Sequence, residues 1–211
     1  MIQVRDVLQV KFGNIDQAVE LFTRSTTPLL SYMTPEYHFN VLTDISGSMY
    51  TLVNEFLVPS IGRFESILEQ SFNQPGFEEW FRQFQLFIED GRREFYTVEG
   101  QYSSWSRPGQ IVVRECYRAY KWQIRSAVPL LQRYGAMLEA HGVGQRPRVL
   151  TDASGPMFQA IIELETDSMS TWESQRRLVF REPEFRVWFL QLLTTVDSGA
   201  HDFCKVEYTG A

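Results

Sequence analysis

The sequence predicts an α+β fold made of two tandem copies of one β-α-β-β-α-β unit. Two observations predict this fold: the chain repeats itself at a nearly constant offset, and both copies alternate strand and helix patterns in the same order. The chain has 211 residues, of which 44% are apolar and 14% aromatic. That is enough length and apolar surface for two units with real cores.

The repeat is clearest in a ten-residue motif. Residues 41–50, VLTDISGSMY, return as residues 149–158, VLTDASGPMF, at an offset of 108 positions. Downstream of the motif the same offset holds without a gap, and upstream it becomes 109. We therefore expect one repeat over residues 1–100 and a second over residues 111–211. The Ser-, Gly- and Pro-rich linker between them, residues 101–110, is predicted to be too short to bury anything.

The elements of the first repeat follow in order along the chain. Alternating apolar residues predict a strand over 4–12, and apolar residues at helical spacing predict a helix from 16 to about 30. Strands over 39–45 and 49–57, joined by a Ser-Gly turn, predict a hairpin. A helix from 60 to about 71 follows.

A second helical segment completes the unit. It opens at Pro75, carries an apolar stripe at three- and four-residue steps, and is predicted to end at Gly91. A last strand is predicted over residues 93–99. The order is that of the split ferredoxin-like unit, with its second helix broken in two.

One ferredoxin-like sheet has helices on one face only, so its other face needs a cover. Two repeats in one chain can cover each other. We therefore expect the two free faces to pack together as an intramolecular, pseudo-dimeric α+β barrel, whose interior is either filled or a pocket.

The doubled unit, its hairpin motif and the Pro-x-Phe-x-x-Trp-Phe helices that begin at Pro75 and Pro183 resemble the dimeric α+β barrel superfamily, and within it the NIPSNAP-like branch. The likeness covers nearly the whole chain. It implies the fold but no single activity, because such relatives include haem proteins, cofactor-free monooxygenases, polyketide cyclases, isomerases and proteins of no known function.

The charge and the apolar pattern exclude several classes of protein. With 26 acidic and 20 basic residues the net charge is −6, so no global positive field attracts nucleic acid or anionic lipid. Two cysteines cannot form the disulfide framework of a small secreted protein. Arg5 and Asp6 interrupt the first apolar stretch, so we expect no signal peptide there. No apolar stretch reaches the roughly 18 residues of a membrane-spanning helix. We expect a cytoplasmic protein whose partners are neither nucleic acid nor membrane.

The third strand of each repeat has two different faces. One face is apolar and suits the helices, whereas the other carries a glutamate in each repeat, Glu55 and Glu163. These carboxylates are expected to point into the space between the sheets, where an unpaired charge is costly. We predict at least one arginine–glutamate pair there, with Arg5, Arg114 or Arg118 on the neighbouring first strand as the partner.

Two interpretations of the glutamates stay open. Because both repeats keep them, they fit a structural role, bracing the fold through backbone or arginine. The functional alternative is a general base or a substrate anchor with a raised pKa. Residues that differ between the repeats fit binding better, and most of these polar differences lie in the second repeat. The candidate catalytic residues are Glu163, Arg118 and Tyr120, and the candidate substrate-binding residues are Glu55, Gln159, Arg114 and Lys205.

Metal and nucleophile signals are weak. The three histidines, His38, His141 and His201, have no ligand-like spacing. Cys116 and Cys204 fall on strand positions that suit small core residues. We expect no metal and no cofactor, although one of the histidines leaves haem binding open.

Three functions remain open. The first is a cofactor-independent enzyme of monooxygenase, cyclase or isomerase type that acts on a small apolar or aromatic molecule, with a carboxylate as base and arginine or tyrosine stabilising an enolate. The second is a non-catalytic, NIPSNAP-like binding or interaction protein. The third is a haem-binding barrel. The duplication allows a monomer, and a further homodimer is equally open.

Overall fold

A computed structural model of the chain describes residues 1–25 and 39–210. The first repeat contains β1 (Ile2–Val10), α1 (Ile15–Glu20) with a π-helical turn (Leu21–Ser25), β2 (Phe39–Asp44), β3 (Thr51–Val58), α2 (Ile61–Phe72), α3 (Phe77–Phe87) and β4 (Ile88–Glu99). The second contains β5 (Ile111–Ala119), α4 (Ile124–Ala140), β6 (Gln145–Ser154), β7 (Gln159–Thr166), α5 (Met169–Val179), α6 (Pro183–Leu193) and β8 (Val196–Gly210). The predicted order of elements is confirmed, but the end of the first predicted helix, beyond residue 25, lies outside the described residues.

The strands form one closed antiparallel barrel in the order β1-β3-β2-β8-β5-β7-β6-β4. Each repeat supplies four neighbouring strands. The two sheets join at both edges, β2 with β8 and β4 with β6. The predicted pseudo-dimeric α+β barrel is therefore confirmed, and closure leaves no free strand edge between the repeats.

The helices cover the outside of the barrel in two apolar clusters, one for each repeat. In the second repeat, Trp188 is only 1% exposed and stacks on Tyr134 with ring centroids 4.1 Å apart. The equivalent Trp80 is only half-buried against the first cluster. Trp188 is therefore a core residue, whereas Trp80 lies at the edge of its cluster.

The repeated motif forms the hairpin turn in both repeats. Gly47 and Gly155 have φ values of 93° and 105°, a left-handed conformation that glycine adopts without strain. The carboxylate of Asp44 accepts from the Thr51 N–H at 2.7 Å, and that of Asp152 accepts from the Gln159 N–H at 2.9 Å. The repeated aspartates therefore stabilise the turn by accepting from backbone amides at its end.

The last strand of the first repeat begins earlier than predicted. The helix ends at Phe87, not at Gly91, because residues from Ile88 onward pair with β1. Gly91 lies opposite Leu8, where an added Cβ would come within 2.8 Å of a Leu8 methyl group. Tight strand pairing at this glycine therefore replaces the predicted helix end.

The linker also departs from prediction. Trp105 is only 2% exposed and packs among Leu42, Val112 and other interior residues of the barrel. The expectation that residues 101–110 bury nothing is wrong, because one large aromatic side chain is enough to fill the barrel end that the linker crosses.

Candidate functional site

The barrel holds a cavity of about 590 Å³ between the two sheets. Its walls combine apolar side chains, such as Val7, Val53 and Ile161, with polar ones such as Gln159, and its floor includes Arg5 and Arg114. The hairpin turn of the first repeat and the first residues of β4 surround the mouth. The cavity therefore opens at one end of the barrel, whereas Trp105 and Tyr102 fill the interior toward the other end.

Below the cavity lies a charged layer, which we define as Arg5, Glu55, Arg114, Arg148 and Glu163. Arg5 Nη2 donates to Glu163 Oε1 at 2.6 Å, and Arg114 Nε donates to the same oxygen at 2.5 Å. Arg148 bridges the two carboxylates, with Nε 2.8 Å from Glu163 Oε2 and Nη2 2.6 Å from Glu55 Oε1. The predicted arginine–glutamate pairing in the interior is confirmed.

Neutral donors complete the shell of Glu55. Gln3 Nε2 donates to its Oε2 at 2.7 Å, and the indole N–H of Trp105 donates to its Oε1 at 2.7 Å. The guanidinium of Arg148 lies over the Trp105 ring, 3.6 Å from its centroid. Trp105 therefore holds both the Glu55 carboxylate and the Arg148 guanidinium in place.

The charged layer keeps both glutamates ionised. Burial alone would raise the pKa of Glu163, but the charges of Arg5, Arg114 and Arg148 outweigh it and hold that pKa well below the ordinary range. Burial and the charge of Arg148 oppose each other at Glu55 too, and the net shift of its pKa is again downward. The raised pKa that a general base requires is not found at either carboxyl group, and the bracing interpretation agrees with the geometry.

Four of the candidate site residues come together. Glu55, Glu163 and Arg114 belong to the charged layer, and Gln159 lines the cavity above it. Gln159 Oε1 lies 3.2 Å from the hydroxyl of Tyr96, which also lies 2.9 Å from Glu94 Oε2. Burial raises the pKa of Tyr96 above its ordinary value, so its hydroxyl is a neutral donor in the cavity wall.

The other three candidates lie away from the cavity. Arg118 is exposed one residue before the end of β5, and Tyr120, just beyond that strand, is 45% exposed. Lys205 lies in a separate surface depression, with Nζ 3.1 Å from Glu207 Oε2. The strand ends before Tyr120 can enter the barrel, so the structure does not bring these three side chains to the cavity.

The cysteines line the cavity without being reactive groups. Cys204 is buried and Cys116 is half-buried. Burial raises the pKa of Cys116 to about 11, and the neighbouring Arg114 offsets only part of that shift. At neutral pH the thiol is therefore protonated and a poor nucleophile.

Histidine supplies no ligand for a group in this cavity among the described residues. His141 Nδ1 lies 2.8 Å from the Met137 carbonyl, and His201 lies on the helix side of the barrel, 3.3 Å from Glu115. His38 lies outside the described residues. Residues 1–25 and 39–210 contain no group of three or more His, Cys, Asp or Glu side chains placed to hold a metal ion. The haem alternative therefore finds no axial histidine at the cavity in the described chain.

Sequence reasoning missed two residues of the site. Arg148 was overlooked although its repeat partner, Asn40, is likewise a polar residue on an otherwise apolar strand. That shared polarity at an inward position is the signal that could have found it. Trp105 gave no signal, because it has no counterpart in the repeat.

Known proteins resemble this chain in fold more than in sequence. No family model matches the chain, and no curated protein matches it. A solved structure from Fusobacterium nucleatum named "putative monooxygenase" is 9% identical, covers 99% of this chain and 93% of its own, and has a TM-score of 0.70. An anthrone oxidase-like protein is 14% identical, covers 99% and 92%, and has a TM-score of 0.64. This chain has the dimeric α+β barrel fold.

A NIPSNAP family protein from Agrobacterium tumefaciens is similar over a shorter length. It is 17% identical, covers 44% of this chain and 90% of its own, and has a TM-score of 0.40. At such identities the likeness of the α+β barrel to these proteins is one of fold, and the chemistry has to be argued from its own residues. In the described part of the barrel chain, no helix combines the length and apolarity needed to cross a membrane.

Proposed function

We propose that this α+β barrel binds a small molecule with an apolar or aromatic body in the cavity between its sheets. The observation that carries the proposal is the cavity itself, whose volume of about 590 Å³ lies within the range of about 300–1,000 Å³ typical of ligand sites. Its lining combines apolar side chains with polar groups, some of which converge on its floor, where they can orient a ligand whose body contacts Val7, Val53 and Ile161.

The polar groups have different roles in this proposal. Arg114 and Gln159 contact the ligand, because both line the cavity. Glu55 and Glu163 act through the arginines, since their oxygens fix the guanidinium groups from below. A side chain locked in this way loses little further entropy when a ligand binds.

A second candidate function is a cofactor-independent reaction of monooxygenase, cyclase or isomerase type. The specific observation that favours it is the fixed guanidinium of Arg114 at the cavity floor, because a preorganised cation stabilises a developing enolate oxygen. Glu163 could act as a base only if a bound ligand displaced its arginine contacts and raised its pKa. Arg118 and Tyr120 would need to move toward the cavity to take part.

Binding can be tested with N-phenyl-1-naphthylamine, a neutral aromatic probe whose fluorescence rises in apolar surroundings. We expect saturable binding to the native protein. Cys116→Trp places a bulky ring in the cavity and is expected to weaken binding at least about tenfold, or about 1.4 kcal/mol. The matched control is Leu190→Trp, at a residue that is 57% exposed on α6.

The control variant is expected to bind the probe as the native protein does. Equal loss of binding in both variants, or none in the cavity variant, would place the probe elsewhere and contradict the proposal. Circular dichroism of both variants checks that each is folded.

A further inference from the structure

We infer that the ligand of this cavity is a monoanion, a carboxylate, phenolate or enolate on an aromatic or apolar body, and that its charged oxygen binds Arg114. The inference rests on the proposed small-molecule site and names the chemical class of its ligand. Three observations lead to it: the net charge of the charged layer, an unused hydrogen-bond donor, and the charges at the cavity mouth.

The charged layer has three arginines and two glutamates, and so carries one net positive charge. All five side chains are at least nine-tenths buried. A further carboxylate, Glu94, interacts with Arg5 and is paired with the largely exposed Arg92, Nε to Oε1 at 2.7 Å. A buried excess charge is costly unless a counter-charge compensates it, and an anionic ligand in the cavity supplies one.

Arg114 is the arginine best placed to receive that ligand. It lines the cavity and is 6% exposed. Its Nε is used by Glu163, but its buried Nη2 has no hydrogen-bond acceptor in the described part of the chain and lies 3.9 Å from Glu55 Oε2. A buried guanidinium nitrogen without an acceptor is unfavourable. A ligand oxygen that contacts the part of the Arg114 side chain exposed to the cavity would add a charge-assisted hydrogen bond to the same guanidinium.

Arg148 also has a buried nitrogen, Nη1, without an acceptor among the described residues, but its place in the barrel is different. It is fully buried, contacts both glutamates and stacks on Trp105, and it does not line the cavity. The positive charge of the layer is therefore presented to a ligand from the Arg114 side.

The cavity mouth limits the charge of the ligand. Asp44, Asp90 and Asp202 line the cavity near its opening. Their carboxylates repel a ligand with several negative charges, or with a charge at its outer end. The expected ligand carries one negative charge on the end that reaches the floor, and an uncharged or hydrogen-bond-donating group at the mouth.

The test is displacement of N-phenyl-1-naphthylamine by two competitors of the same shape, 2-naphthoate and the neutral 2-naphthamide. We expect the carboxylate to bind at least about tenfold more tightly, since charge-assisted hydrogen bonds exceed neutral ones by this order. The preference should persist at high salt, because a buried pair is screened little. Non-specific attraction cannot produce it, as the protein is itself negatively charged.

Variants locate the preference. Arg114→Met should reduce the carboxylate-to-amide ratio to near one, because the guanidinium that binds the charged oxygen is gone. The ratio compares two competitors on the same variant, so it does not depend on how tightly that variant binds the probe. The matched control is Arg133→Met, the same change at an exposed arginine that donates to Gln191, and its ratio should stay as in the native protein.

Each outcome separates the two proposals. If the neutral probe does not bind in the cavity, the proposed function fails. If it binds and native protein shows no preference for the carboxylate, or Arg114→Met keeps the preference, the monoanion inference is overturned while the binding site stands. Should Arg114→Met not fold, the competitor ratio on native protein decides.

Discussion

Glu163 in the second repeat accepts from three arginines at 2.5–2.8 Å, whereas its partner Glu55 in the first repeat accepts from Arg148 at 2.6 Å, from Arg5 at 3.5 Å and otherwise from neutral donors among the described residues, namely Gln3, Trp105 and Asn40. One pair of equivalent residues contributes to the difference, because Arg148 in β6 donates to both carboxylates and Asn40 in β2 donates to Glu55 at 3.4 Å. The shared glutamates and strand-one arginines build a frame with pseudo-twofold symmetry. Arg148, whose counterpart in the first repeat is not an arginine, and Trp105, which has no counterpart, make one end of the barrel different from the other.

Positions that both repeats share have a different role from positions that only one repeat has. Positions kept by both repeats, such as the turn aspartates, explain the fold. Positions kept by one repeat explain why one end is filled and the other is a cavity. A ligand site in a duplicated barrel is therefore expected where the two copies have diverged.

The largest expected effect comes from making the second repeat like the first. Arg148→Asn introduces the residue of β2 and removes charged donors from both buried carboxylates. We expect the free energy of unfolding to fall by about 3–5 kcal/mol, the cost of breaking a buried ion pair. Urea denaturation at pH 7 measures it.

An exposed ion pair provides the control for this change. Arg107→Asn removes a partner of Asp167 at 3.5 Å, where both side chains are at least two-thirds exposed, and should cost less than about 1 kcal/mol. A cost as small for Arg148→Asn would show that the arginine bridge does not hold the two repeats together.

Lowering the pH should destabilise the folded protein through the two buried glutamates, and more through Glu163 than through Glu55. The folded-state pKa of Glu163 lies below its ordinary value near 4.3, because three arginine charges outweigh its burial. The folded protein then binds fewer protons than the unfolded chain as the pH falls below that value, so this stabilisation is present at neutral pH and is lost on acidification.

Paired variants measure that contribution. At pH 7 Glu163→Gln should have a lower free energy of unfolding than the native protein. Between pH 7 and pH 3 this difference in free energy should become smaller by at least about 1.4 kcal/mol, which corresponds to one pKa unit. Glu55→Gln should show a smaller narrowing, since neutral donors hold part of that carboxylate. Urea denaturation across the pH range makes the comparison, and equal narrowing would remove the distinction between the repeats.

Much of this arrangement could be predicted from the sequence, for a physical reason. The repeat and the alternation of strand residues determine which side chains face inward, so the order of elements and the inward glutamates followed from pattern alone. Arg114 and Gln159 reached the cavity because they lie on inward positions of regular strands. Alternation fails at strand ends, where Tyr120 leaves the sheet, and it says nothing about a linker such as the one carrying Trp105.

The smallest expected effect concerns the two equivalent helix tryptophans, Trp188 and Trp80. The indole N–H of Trp188 donates to the Leu130 carbonyl at 2.8 Å, whereas that of Trp80 has no acceptor within the described residues. Trp188→Phe removes this hydrogen bond, although the Leu130 carbonyl lies inside α4 and keeps its helical partner, and should cost about 0.5–1.5 kcal/mol, the net contribution of one hydrogen bond. Trp80→Phe removes a donor that bonds nothing described, so its cost should be lower by about 1 kcal/mol or more. Thermal and urea unfolding of the two variants compares them, and equal costs would mean that ring packing, and not the hydrogen bond, distinguishes the two helices.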